Sequence, residues 1–365
     1  MGFLINTYML SNRINESDCG SPGPVLYLYN TNFPSQMYCD FLPQQATDQG
    51  TWIGMLADDI YSLYRDKAKP VVLSFYIHGF DTSATDARIG HAWYGSRLYA
   101  NGLEQGLVVG VSWPSNCDFP SSGRTNAEAS YALFSAVLEA ITLVKAALTN
   151  KYGANAPVLN TSIICHSMGN YLMSTTLGDG NVPNYQGAVD TVLMLAPDVD
   201  YSIFTQNSTV KAQGEAISQM ANGRVVVFWC LNDEVLEADE YAGDWCVLGY
   251  RGPELPISTK TPNVLFVNSI KAATYDNGIL YVPADYGSTT IVHSSYRFSP
   301  LLVSVEAMIL GLPASQLAAG TVEETLKEFL DTELEASPLS CPADQKMLEA
   351  YLTPVIRGRS RVRTS

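Results

Sequence analysis

Apolar residues along this chain gather in short, nearly unbroken runs, and the spacing between the runs suggests an architecture. FLINTYML and VLYLYN come first, followed by VVLSFYI (71–77), LVVGVSW (107–113), TSIIC (161–165), TVLMLA (191–196), RVVVFWC (224–230) and NVLFVNS (263–269). Such runs suit strands buried on both faces, and several are separated by segments long enough for a crossover helix. The pattern predicts an α/β domain: a mostly parallel central sheet with helices on both faces.

Helical spacing is strongest in AEASYALFSAVLEAITLVKAALTNKYG, where Gly153 supplies a stop signal. Its apolar stripe is read as packing on the sheet. A helix after Pro300, LLVSVEAMILGL, closes the domain, which spans residues 1–311. Two amphipathic segments follow over residues 313–356, one opened by a Thr321/Glu324 capping pair. Residues 312–365 are therefore expected to form a helical C-terminal extension with an Arg-rich tail, RGRSRVRTS. No repeat or linker marks a second independent domain. Residues 234–262, rich in charge, Gly and Pro, are either a lid or an ordinary long loop.

The chain is 47% hydrophobic and 16% charged, which describes a globular protein with a heavy interior. Its net charge is -15, and four of its 21 basic residues fall in the last nine positions, which argues against a nucleic-acid surface. Seven cysteines (Cys19, Cys39, Cys117, Cys165, Cys230, Cys246 and Cys341) are scattered and lack CxxC or Cys/His metal spacing. They read as mostly free thiols in a reducing compartment. MGFLINTYMLSNR has no basic start, sustained apolar region or cleavage site, and no stretch reaches the ~18 apolar residues that span a bilayer. Asn6 stands where a myristoylation signal wants Ser or Thr. The expectation is a cytoplasmic protein without a transmembrane segment, leaderless export being left open.

Candidate chemistry centres on SIICHSMGN, where an apolar run stops abruptly at Ser167. A nucleophile elbow needs a strand that ends there, a serine held in a strained conformation, and small neighbours two places to either side. Gly169 provides one small neighbour and Cys165 stands where G-x-S-x-G has glycine. The following NYLMSTTL reads as a helix whose N-terminal amides face a developing oxyanion.

A serine hydroxyl becomes a useful nucleophile only when a histidine takes its proton and a carboxylate orients that histidine. In this topology the acid and then the histidine follow the serine, each in a loop after a later strand. His78 and His91 precede Ser167 and His166 adjoins it, which leaves His293 in IVHSSYRFSP. Asp233 in LNDE follows the later strand and is the favoured acid, with Asp198 and Asp200 in APDVD as alternatives. YIHGFDTS occupies the place of an oxyanion loop, so the amides of Phe80 and Met168 are the candidate donors. Trp113, Tyr94 and Tyr171 either shape an acyl pocket or pack in the core.

HGF, VSWPS (111–115), CHSMGN, LAPDVD, LND before Glu234, LGYRGPE (248–254) and HSSYRFSP, taken in this order, resemble α/β-hydrolase superfamily enzymes. Within them the chain is similar to a bacterial family of largely unassigned function, marked by Ser-Trp-Pro-Ser and a His-Ser-Met-Gly-Asn elbow. That family's elbow usually carries Gly or Ala where this chain has Cys165. The resemblance covers roughly residues 1–311 and implies the α/β-hydrolase fold, with nucleophile, acid and base on Ser167, Asp233 and His293. It further implies hydrolysis of an ester, thioester, lactone or amide through an acyl-serine intermediate, with a small-molecule acyl substrate as partner and no metal or cofactor.

An ester-type serine hydrolase is the leading expectation. A thioesterase or acyltransferase would keep the same three residues. A non-catalytic interaction protein on the same fold, or a cysteine hydrolase using Cys165 with His166, are the remaining alternatives.

Overall fold

A computed structural model of the chain describes residues 4–14, 19–34, 45–64, 69–98, 106–118, 120–243, 245–269 and 291–311. One sheet of nine strands runs through them: β1 (Leu4–Ser11), β2 (Leu26–Pro34), β3 (Gln45–Thr47), β4 (Val71–Ile77), β5 (Gly106–Ser112), β6 (Leu159–His166), β7 (Val189–Leu195), β8 (Ala221–Trp229) and β9 (Val264–Asn268). Their order is β3-β2-β1-β5-β4-β6-β7-β8-β9. β2 runs antiparallel to both its neighbours and every other pairing is parallel. Each expected apolar run becomes a strand. The addition is β3, three residues at the sheet edge whose sequence Gln-Ala-Thr carries no apolar signal.

The reason for the unbroken apolar runs is visible in β4 and β8. Leu73, Phe75, Ile77, Val225 and Val227 join one core, while Val72, Tyr76, Val226 and Phe228 join the other. Successive side chains point to opposite faces, and both faces are covered. Helices Gln49–Ser62, Tyr131–Tyr152, Gly169–Gly178 and Lys211–Met220 bury apolar side chains in the first core. Helices Ala84–Leu98, Ile291–Phe298 and Pro300–Ile309 contribute to the second.

The long helical segment is divided. Pro120–Ala129 and Tyr131–Tyr152 are separate helices that break at Ser130, whose hydroxyl donates to the Asn126 carbonyl and accepts from Asn12 Nδ2 at 3.0 Å. Gly153 ends the second helix at φ 54°, a backbone conformation that side chains disfavour. By length and composition residues Tyr131–Asn155 are apolar enough to cross a membrane, which the sequence reading did not identify. Leu133, Phe134, Val137, Ile141, Val144 and Leu148 of this helix are buried in the core.

Residues 234–262 carry the helices Glu234–Gly243 and Leu248–Arg251. Backbone bonds tie them to the segment after β7: Leu248 N–H to the Val199 carbonyl, Gly249 N–H to Pro197, and Ser258 N–H to Phe204, at 2.8–2.9 Å.

The cysteine expectation needs correcting. Cys19 and Cys117 form a disulfide, whereas Cys165, Cys230 and Cys246 are not disulfide-bonded. Cysteine usage therefore no longer points to a reducing compartment. Cys39, Cys341, the Thr321/Glu324 pair and the whole of residues 312–365 lie outside the described residues.

Candidate active site

Parallel register brings the motifs together at the carboxyl edge of the sheet. Ile77 of β4 pairs with Cys165 of β6, and His166 pairs with Leu195 of β7. After β4 the chain crosses to β5 on one side, and β6 lies on the other. The serine thus stands at a switch in strand order, where open α/β sheets form their ligand crevice.

Ser167 has φ 53°. For a residue with a side chain this left-handed conformation costs roughly 1–3 kcal/mol and persists only when its surroundings enforce it. Asn170, fully buried in the first turn of the next helix, is the enforcer. Its Nδ2 donates to the carbonyls of Cys165 at 3.1 Å, Ser167 at 3.0 Å and Leu195 at 3.4 Å. Ser167 N–H also donates to the Leu195 carbonyl at 2.9 Å. Gly169 explains the missing side chain two places on, because a Cβ there would sit 2.7 Å from the carbonyl oxygens of Ile77 and His78. Among the described residues the Ser167 Oγ makes no hydrogen bond.

The HGF loop presses on the same serine. A Cβ on Gly79 would fall 2.7 Å from Ser167 Cβ and 3.2 Å from its Oγ. Neither the Phe80 nor the Met168 backbone N–H donates to another described residue, and both residues flank the bend. Gly123 packs against them, its position for a Cβ lying 2.6 Å from the Phe80 ring and 3.0 Å from Met168 Sδ.

Beneath this loop His78 is buried and accepts from the Trp113 N–H through Nε2 at 3.2 Å, so Nδ1 carries the proton and donates to the Gly79 carbonyl. Burial first, then the charge of Arg13, hold His78 well below the usual histidine range. Arg13 completes the support by donating to Ser112 Oγ at 2.7 Å and the Thr82 carbonyl at 2.5 Å.

His293 lies on the helix Ile291–Phe298 rather than on the loop expected. Its Nδ1 is 2.8 and 3.0 Å from the two carboxylate oxygens of Asp233, which is fully buried. Asp233 also starts the helix Glu234–Gly243, accepting from Leu236 N–H at 3.1 Å. The His293 and His166 rings are 4.8 Å apart between centroids, which brings His293 beside the elbow.

The two alternative acids have other partners. Asp200 accepts from the Ser202 N–H and hydroxyl. Asp198 is bridged by Arg124 to Asp239, and Arg124 lies over the Trp245 and Tyr171 rings. Burial, then the neighbouring Asp239 charge, push the Asp198 carboxyl up to about 7.

Of the candidate pocket aromatics, Tyr94 and Trp113 offer no surface to a ligand. Both are fully buried. Tyr94 donates to Glu306 Oε2 at 2.5 Å within the second core, and Trp113 donates to the His78 carbonyl through Nε1 at 2.9 Å. Sequence proximity to a motif could not reveal which face of the sheet each would join. Tyr171 alone of the three is half-buried, and its hydroxyl donates to Glu128 Oε1 at 2.7 Å.

Cys165 is a poor nucleophile here: it is completely buried against Met173, and burial pushes its thiol up. Among the described residues no three His, Cys, Asp or Glu side chains are grouped to hold a metal.

The model of a family described as "Alpha/beta hydrolase of unknown function (DUF900)" matches residues 57–253. No curated protein matches the chain. Among solved structures it is similar to Aspergillus fumigatus lipase B at 13% identity and a TM-score of 0.39, covering 72% of this chain and 57% of the lipase. It is also similar to a fungal esterase from Rhizomucor miehei at 15% identity and a TM-score of 0.29, covering 73% of this chain and 74% of that one. The chain thus spans little more than half the length of the lipase.

Proposed function

Since this chain belongs to the alpha/beta-hydrolase family of unknown function whose model spans residues 57–253, we propose that it is a serine hydrolase cleaving an ester-type acyl substrate. The observation that carries the reading is the bond from His293 Nδ1 to the buried Asp233 carboxylate, beside a serine bent into the left-handed conformation. A proton on Nδ1, held by Asp233, leaves the Nε2 lone pair as the base.

In this reading Ser167 Oγ attacks the substrate carbonyl as His293 Nε2 takes its proton. Catalytic hydrogen bonds of this kind tighten when substrate is bound, so a hydroxyl without a hydrogen bond among the described residues suits a resting enzyme. The Phe80 and Met168 amides receive the oxyanion; each such donor typically lowers the barrier by about 3 kcal/mol. Asp233 stabilises the imidazolium. His293 then returns the proton to the leaving alcohol, and a water activated by the same nitrogen releases the acyl group.

The test uses short p-nitrophenyl esters and a fluorophosphonate probe. Ser167→Ala is expected to abolish both turnover and labelling, and His293→Ala to abolish turnover. Asp233→Asn should lower kcat by about 10⁴-fold, the size of effect seen when a triad histidine loses its orienting carboxylate. Asp198→Asn should stay near wild type. Turnover and labelling that persist in a folded Ser167→Ala protein would sink the reading.

A further inference from the structure

His166, the residue before the serine, is left without a role by the proposed chemistry. It is the last residue of β6, it is buried, and its Nε2 lies 2.8 Å from the backbone carbonyl of His293. A carbonyl only accepts, so Nε2 carries the proton and donates. The ring is held uncharged: burial first, then the positive charge of Arg297 and the neighbouring His293, keep it well below the usual histidine range.

We propose that His166 is a positioning residue that fixes the backbone of His293 to the nucleophile elbow. The inference rests on the reading of Ser167, Asp233 and His293 as nucleophile, acid and base. Asp233 restrains the His293 ring at Nδ1, from the segment after β8. That contact fixes the ring alone; the main chain of His293 is placed by the packing of the helix Ile291–Phe298, which Tyr296 seats in the second core. His166 adds an attachment at the main chain, from the strand that carries the serine itself. Nucleophile and base are thereby referenced to the same strand end, adjacent residues holding one and presenting the other. A displacement of about 1 Å in such a pair can cost 10²-fold in rate.

Two amide side chains separate this role from simple filling of space. The amide nitrogen of Gln reaches about as far as Nε2 of histidine, whereas that of Asn reaches only as far as Nδ1. Both keep the site polar and uncharged. His166→Gln is expected to keep kcat within about threefold of wild type, and His166→Asn to lower kcat by about 10–100-fold with little change in KM. The fluorophosphonate labelling rate should follow kcat, since labelling needs the activated serine but no particular substrate. Thermal melts and near-ultraviolet circular dichroism establish that each variant is folded; should His166→Asn not fold, a His166→Gln protein that folds but labels more than tenfold slower than wild type would overturn the proposal.

Equal kcat in folded His166→Asn and wild type would overturn it, as would equal losses in the Asn and Gln variants. Ser167→Ala, run alongside, separates the two levels. If it stays active, the hydrolase reading fails with the inference; if it is inactive while His166→Asn is unimpaired, only the inference falls.

Discussion

A Cβ placed on Gly79 would stand 2.7 Å from the Cβ of Ser167, closer than two such atoms can approach. The pairing of Ile77 with Cys165 sets this, since two steps beyond that pair on each chain bring glycine and serine face to face. The glycine is therefore needed for its close approach to Ser167 rather than for an unusual φ of its own. Gly79→Ala is expected to push the HGF loop outward and carry the Phe80 amide with it. We expect kcat/KM on p-nitrophenyl esters to fall by about 10²-fold with the fold intact, a displacement effect of the usual size. A folded Gly79→Ala protein with wild-type kinetics would show that the loop does not bear on the reaction.

What could be read from the chain, and what could not, divides along physical lines. The unbroken apolar runs foretold the central strands because both faces of each are covered. The order serine, acid, histidine led to Asp233 and His293, whose side chains are hydrogen-bonded to each other. Asn170 was visible as part of the HSMGN motif, but nothing in its neighbours said that one amide would reach three carbonyls. Tyr94 and Trp113 misled because closeness along the chain does not specify a face of the sheet. The Arg124 bridge joins residues 74 and 115 positions away, beyond the reach of any local pattern.

The Cys19–Cys117 bond was also out of reach, since an odd count of scattered cysteines favours no pairing. It closes a loop with a sequence separation of 98 and ties the segment after β1 to the one after β5. Asn126 lies against both sulfurs and donates to the Pro114 carbonyl. Ser115, two residues before Cys117, accepts from the Asp81 N–H beside the HGF loop at 2.9 Å through its carbonyl. Alkylation of the denatured, unreduced protein is expected to mark Cys165, Cys230 and Cys246 and spare Cys19 and Cys117. Paired Cys19→Ser and Cys117→Ser substitutions should cost about 2–5 kcal/mol of stability, read by urea unfolding. Alkylation of Cys117 without prior reduction would refute the pairing.

Acid stability offers the sharpest electrostatic test, through His91. This histidine is buried in the helix Ala84–Leu98; its Nδ1 donates to the Ala87 carbonyl at 3.1 Å, and its Nε2 has no partner among the described residues. Protonating the ring would bury an unsatisfied N–H, and burial accordingly lowers its pKa to about 4. In the unfolded chain it binds a proton near the ordinary 6.5. Between these values the unfolded state holds more protons, so this contribution is complete above pH 6.5 and is lost as pH falls towards 4. The full loss is about 3 kcal/mol, of which about 2 kcal/mol is gone by pH 5. His78 and His166 act in the same direction. Asp198, raised to about 7, and Glu306, raised by its burial, oppose them, because the folded protein keeps protons there that the unfolded chain releases as pH rises above about 4. A comparison isolates the one group. His91→Asn retains a donor for the Ala87 carbonyl but cannot titrate, so its unfolding free energy should fall less steeply than wild type between pH 7.5 and 5. Parallel curves for the two proteins would mean that His91 does not titrate differently on folding.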